Sequence, residues 1–211
     1  MQGYGWVALV AVAALAAALV AGYFMYNDTP EPVACRERSP QPVVVAFGDS
    51  LVQGLGATTP GGFVSHLAEQ SGVPIINLGR GGDTTETAKS RVSGALALKP
   101  AIAIILLGGN DALRRTPPST TEANLDEIVG QFKDAGAEVV LLGVMGDLFN
   151  DPYPAMFERL AERHGTEYVP NVLQGLLGRK EYMSDAIHPN EAGHQYIASR
   201  VLPAFEAACS D

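Results

Sequence analysis

The stretch VVVAFGDS (residues 43–50) is a run of apolar residues that stops at Gly-Asp-Ser and delivers Ser50. A serine hydroxyl keeps its proton at neutral pH. It becomes a nucleophile only when a base lies within hydrogen-bond reach and a third group fixes the tautomer of that base. The chain holds four histidines. His66 falls in a helical pattern and His164 near a helix end, and both read as surface or capping residues. His188 stands in the loop SDAIHPN with Asp185 three residues earlier. At that spacing a turn can set the carboxylate against Nδ1 and leave Nε2 to face a serine from another loop. The plainer alternative is that Asp185 and Pro189 only punctuate the start of the last helix. Acyl transfer also needs donors for a developing oxyanion. Gly82 in GRGGDTT and Asn110 in GGNDALR are candidates, although both residue types are also favoured wherever a chain turns.

Other chemistries fail at their defining residues. The loop GLGATTPGG (54–62) has the look of a phosphate loop, but a dinucleotide fingerprint needs glycine where Thr59 stands. A Walker A motif needs Lys then Ser or Thr where Gly62 and Phe63 stand. No HExxH occurs, the two cysteines lie at opposite ends of the domain, and His188, Glu191 and His194 form only a weak ligand pattern, so no metal is expected. A net charge of −9 with no basic stripe argues against a nucleic-acid partner.

These residues must be positioned by the elements around them. Apolar runs at 43–47, 73–78, 101–107, 137–143 and 166–170 read as strands. Amphipathic stretches near 61–71, 84–97, 120–135, 153–164 and 191–208 read as helices. Continuous apolar runs, rather than alternation, imply a sheet covered on both faces. Five strands interleaved with helices predict a three-layer α/β/α sandwich with a parallel sheet. Ligands in such folds bind beyond the carboxyl ends of the strands. The loops carrying Ser50, Gly82 and Asn110 follow the first three strands, and the His188 loop precedes the last helix.

Taken together, FGDSLVQG, the Gly82 and Asn110 loops and DAIHPN resemble the four blocks of the SGNH (GDSL) hydrolases, in their order and over essentially all of 42–208. The likeness is to the bacterial thioesterase/lysophospholipase and arylesterase branch, which generally has glycine where this chain has Ala186. The resemblance implies Ser50 as nucleophile, His188 as general base and then acid, and Asp185 as its orienting partner. It implies an oxyanion hole from the Ser50 and Gly82 N–H groups and the Asn110 amide, a flavodoxin-like strand order, shallow substrate access and no cofactor. Variable loops build the acyl pocket in this family, here through Leu113, Met145, Leu148 and Phe149, which read equally well as loop-anchoring core. The expected activity is hydrolysis of carboxylic esters or thioesters, of acyl, aryl or lysophospholipid type. The alternatives are an O-acetyl esterase or acetyltransferase for cell-envelope glycans and a non-catalytic envelope binding protein. The partner is a small-molecule or lipid ester, and a monomer is expected.

Residues 4–26 carry no charged side chain and are long enough to cross a hydrocarbon core of roughly 30 Å. No basic residue precedes them, and the run exceeds the core of a signal peptide. Residues 1–28 therefore read as an uncleaved anchor, with secretion as the outcome if they are cleaved. A Pro-rich linker (29–41) and the hydrolase domain (42–211) follow. Arg36 and Arg38 weakly favour a cytoplasmic domain. Against that, Cys35 precedes the first strand and Cys209 follows the last helix, so both fall at one end of the sheet. A disulfide there implies an oxidising, periplasmic setting at the inner membrane.

Overall fold

A computed structural model describes residues 34–146 and 151–210. Residues 1–28 and the start of the linker lie outside these, as do Leu148 and Phe149. No helix among the described residues is long and apolar enough to cross a membrane.

Five strands, β1 (Val44–Gly48), β2 (Ile75–Gly79), β3 (Ile102–Leu106), β4 (Glu138–Leu142) and β5 (Glu167–Val169), form one parallel sheet in the order β2-β1-β3-β4-β5. The helices are α1 (Ala34–Glu37), α2 (Ser50–Gln53), α3 (Phe63–Ser71), α4 (Thr85–Lys89), α5 (Val92–Leu96), α6 (Gly109–Leu113), α7 (Pro118–Asp134), α8 (Tyr153–His164) and α9 (Glu191–Ser210). On one side α3 and α9 pack together, and α4, α5, α7 and α8 associate on the other. Strand order and layering match the sequence reading.

The central strands β1 and β3 are buried throughout, as continuous apolar runs require. The second strand departs from that expectation. It is the sheet edge, with Ile76 41% exposed, so the apolar run at 73–78 does not signal a strand covered on both faces. Apolar side chains from both sides meet at the sheet: Phe47 lies 5.7 Å from the Phe132 ring, and Phe157 and Phe205 are fully buried. Each such ring contributes roughly 1.5–3 kcal/mol by leaving water.

Two further readings are corrected. The stretch 84–97 is not one helix but two, broken at Ser90–Arg91. The break turns Arg91 inward, where its guanidinium lies 4.6 Å from the Phe47 ring centre and donates to the carbonyls of Gly48 and Leu78. Cys35 lies within the stretch read as linker, yet it is fully buried in α1 and disulfide-bonded to Cys209 near the end of α9. The Arg38 guanidinium donates to the Cys209 carbonyl and closes the same corner.

Candidate active site

The site begins where β1 ends. A side chain at Gly48 would lie 2.2 Å from the Leu106 carbonyl, so only glycine lets the chain leave the sheet there. Asp49 then caps α2, its Oδ1 accepting the Leu51 N–H at 3.0 Å. Ser50 is the first residue of that helix, and first-turn N–H groups have no acceptor inside the helix. Gly54 ends α2 in the left-handed conformation, with φ 89°.

The opposite half is a tight turn ahead of α9. Asp185 Oδ1 accepts the N–H groups of Ile187 and His188, both at 2.8 Å, and Oδ2 faces His188 Nδ1 at 2.7 Å. A carboxylate at that distance places the imidazole proton on Nδ1. Nε2 is left as the acceptor, 3.1 Å from Ser50 Oγ. The His188 hydrogen bond, and then the two backbone donors, hold the Asp185 carboxyl down to about 2. The His188 carbonyl accepts from Ser184 N and Oγ, which closes the turn. Ala186 is not among the non-glycine residues with positive φ, so alanine suits this turn without backbone strain.

The third part hangs on α6 and the loop after β2. Asn110 Nδ2 donates to the Asp83 carbonyl at 3.0 Å and lies 3.5 Å from Asp49 Oδ2. Gly82 has φ +83°, its carbonyl is taken by Arg114 Nη2 at 3.0 Å, and a side chain there would meet nothing within 4 Å. At the neighbouring Gly81, a Cβ would stand 3.9 Å from Ser50 Cβ, which places this loop beside the serine.

Three buried acids missed in the sequence reading support this frame. Asp83 is clamped by Arg91, whose Nε donates to Oδ2 at 2.7 Å. Asp111 is fully buried and accepts from Thr85 N and Oγ1 at 2.8 and 2.6 Å. Asp49 is 2% exposed, and burial pushes its carboxyl up to about 6, against the pull of the Leu51 N–H and the His188 charge. Asp111 was accessible to inspection as the acid directly after Asn110. Arg91 carried no sequence signal.

Ser50, His188 and Asn110 open onto one cavity of about 410 Å³. Its walls are mostly apolar: Leu51, Leu113, Val144, Met145, Leu173, Leu177 and Ile187. Two of the four predicted substrate-binding residues, Leu113 and Met145, are therefore at the cavity, and Leu148 and Phe149 fall outside the described residues. Leu173 and Leu177 went unread because NVLQGLL (171–177) lies outside every assigned element. Tyr153, at the start of α8, is buried beneath Gly108 and Gly146 and does not line the cavity.

A sequence profile of the GDSL-like Lipase/Acylhydrolase family matches residues 46–196, a span that includes all of these groups. The chain belongs to this family. Over 175 residues it is 30% identical to Esterase TesA of Pseudomonas aeruginosa, which covers 77% of this chain and 87% of that protein. It is 28% identical over 164 residues to thioesterase 1/protease 1/lysophospholipase L1 of Escherichia coli, covering 74% and 79%. A solved structure of TesA superposes with a TM-score of 0.73 at 29% identity, covering 79% of this chain and 99% of that one. As a GDSL-family fold, the sheet carries its blocks at the carboxyl ends of β1, β2 and β3.

Proposed function

We propose that this GDSL-family domain is a serine esterase hydrolysing carboxylic esters or thioesters through an acyl-enzyme on Ser50. The observation that carries the reading is the continuous chain from Ser50 Oγ to His188 Nε2 and from His188 Nδ1 to Asp185, at 3.1 and 2.7 Å. Ser50 Oγ attacks the carbonyl carbon while its proton passes to His188 Nε2. Asp185 holds the ring and stabilises the imidazolium that forms. The N–H groups of Ser50 and Gly82 and the Asn110 amide receive the oxyanion. The imidazolium then protonates the leaving alcohol or thiol, and water repeats the sequence to release the acid.

The apolar cavity walls favour an acyl chain over the acetyl group of a polar glycan. The relatives' names, esterase and thioesterase/lysophospholipase, support the same side. We assign Leu113 and Met145 to the acyl wall. The test is turnover of p-nitrophenyl esters from acetate to palmitate, with Ser50→Ala alongside and fluorophosphonate labelling of Ser50. An unlabelled serine and an inert wild type would sink the reading.

We further propose an anchor at 1–28, joined by a short linker to an extracytoplasmic catalytic domain that takes in α1 with its Cys35. The Cys35–Cys209 disulfide supports an oxidising compartment. Protease added to intact spheroplasts should digest the domain, and protection would overturn the placement.

A further inference from the structure

The loop Gly54–Gly62 connects α2 to α3, and the catalytic scheme leaves it without a task. It is nevertheless fastened to the start of α9, immediately after the His188 turn. Glu191 Oε2 accepts the N–H groups of Thr58 and Thr59, at 2.8 and 2.9 Å, and the Thr58 hydroxyl at 2.8 Å. Its Oε1 accepts the Thr59 hydroxyl at 2.6 Å and faces His66 Nε2 at 2.8 Å. One turn further along, the fully buried His194 makes two more bonds to the same segment. Its Nδ1 accepts the Phe63 N–H at 3.0 Å, so Nε2 carries the proton and donates to the Leu55 carbonyl at 3.1 Å. His66, expected to be a surface residue, is thereby drawn into the fold at 8% exposure.

At its N-terminal end the loop meets both halves of the site. The Leu55 N–H donates to the Ser50 carbonyl at 2.9 Å, so the loop is an extension of the nucleophile's own helix. Gly56 packs against the other half. A Cβ there would stand 2.2 Å from the Pro189 carbonyl and 2.5 Å from Ser184 Oγ, and its φ of +96° suits glycine. Within Asp185–His188 the contacts are local. The contact between Ser50 and His188 spans 138 residues, so something non-local must set it.

We propose that Glu191, seconded by His194, is a positioning residue: by gripping Thr58 and Thr59 it seats the 54–62 loop between α2 and the His188 turn and so fixes the Ser50 Oγ–His188 Nε2 separation. The proposal rests on the esterase reading above. Glu191 touches no reacting atom. Its effect passes through the loop to the dyad, and catalysis is steep in that geometry, since a displacement of about 1 Å costs on the order of 100-fold.

The test is steady-state kinetics on a p-nitrophenyl ester for Glu191→Gln and Thr59→Val, with fluorophosphonate labelling rates and Tm measured in parallel. Glu191→Gln is expected to lower kcat and the labelling rate by roughly 10- to 100-fold with KM within about twofold. Thr59→Val, which removes one hydroxyl contact, should lower both several-fold and serves if the first variant does not fold. Ile128→Val, in the buried face of α7, is the control: it lowers Tm while leaving kcat unchanged. If Glu191→Gln and Thr59→Val lower Tm but keep wild-type kcat and labelling, the network is structural only and the proposal is overturned. A change confined to KM overturns it too, because the loop would then be contacting substrate. Failure of the esterase reading itself looks different: the wild-type enzyme would be inert and unlabelled.

Discussion

Replacing Cys35 and Cys209 together by alanine isolates the energetic role of the disulfide from the chemistry of the site. The bond joins residues 174 apart in sequence. Chain-entropy arithmetic for a loop of that length gives about 5 kcal/mol of stabilisation, acting on the unfolded chain. In a domain of this size each kcal/mol is roughly 2–4 °C of Tm, so the double variant should melt roughly 10–20 °C below the oxidised wild type. Activity should not follow. The disulfide and the His188 turn stand at opposite ends of α9, a 20-residue helix that is about 30 Å long. The assay is thermal melting by circular dichroism, with p-nitrophenyl ester turnover measured at a temperature below the onset of the variant's melt. A Tm loss of less than about 3 °C would refute the entropic reasoning. A large fall in kcat at low temperature would refute the separation of staple from site.

Other perturbations address the site directly. Asp185→Asn keeps an acceptor for the two backbone N–H groups but presents an amide donor to Nδ1, which reverses the useful tautomer; kcat should fall by about 10³- to 10⁴-fold with little change in KM, read by steady-state kinetics. Burial raises the Asp49 carboxyl from the usual 3.8 to about 6 in the folded protein, so the native state holds its proton more tightly and stability falls as pH rises from about 4 to 6. Asp49→Asn removes that penalty of about 3 kcal/mol. Its stability relative to wild type in urea should therefore be greater at pH 8 than at pH 4, and a pH-independent difference would contradict this. Met145→Trp narrows the cavity and should reduce kcat/KM for octanoyl and longer esters on the order of tenfold more than for acetyl esters, measured across a chain-length series.

The sheet was legible in the sequence because its strands are buried in a way that composition records: VVVAF and AIAIILL have no polar residue to place. The same rule misread β2: VPIINL is apolar apart from Asn77, yet it forms the sheet edge with Ile76 in water. Ser50, Asp185 and His188 were legible because each sits at a chain reversal marked by Gly, Asp or Pro. Arg91 was not, because its value lies in contacts with Asp83, Leu78 and Gly48 that its local helical pattern does not encode. Glu191 was visible only as a weak ligand pattern, because its partners Thr58 and Thr59 lie more than 130 residues away. Leu173 and Leu177 escaped for a related reason: an apolar wall contributed by irregular chain has no period to detect.

The Asp185–His188 pair closes within four residues, whereas the Ser50–His188 contact joins distant parts of the chain. The enzyme's acid-base half is thus a self-contained turn, and its nucleophile arrives by tertiary assembly. Loosening the domain severs the second junction while the first survives. Hydrolytic turnover is then a gauge of one seam between β1 and the start of α9, and it vanishes before the secondary structure that ordinary spectroscopy follows.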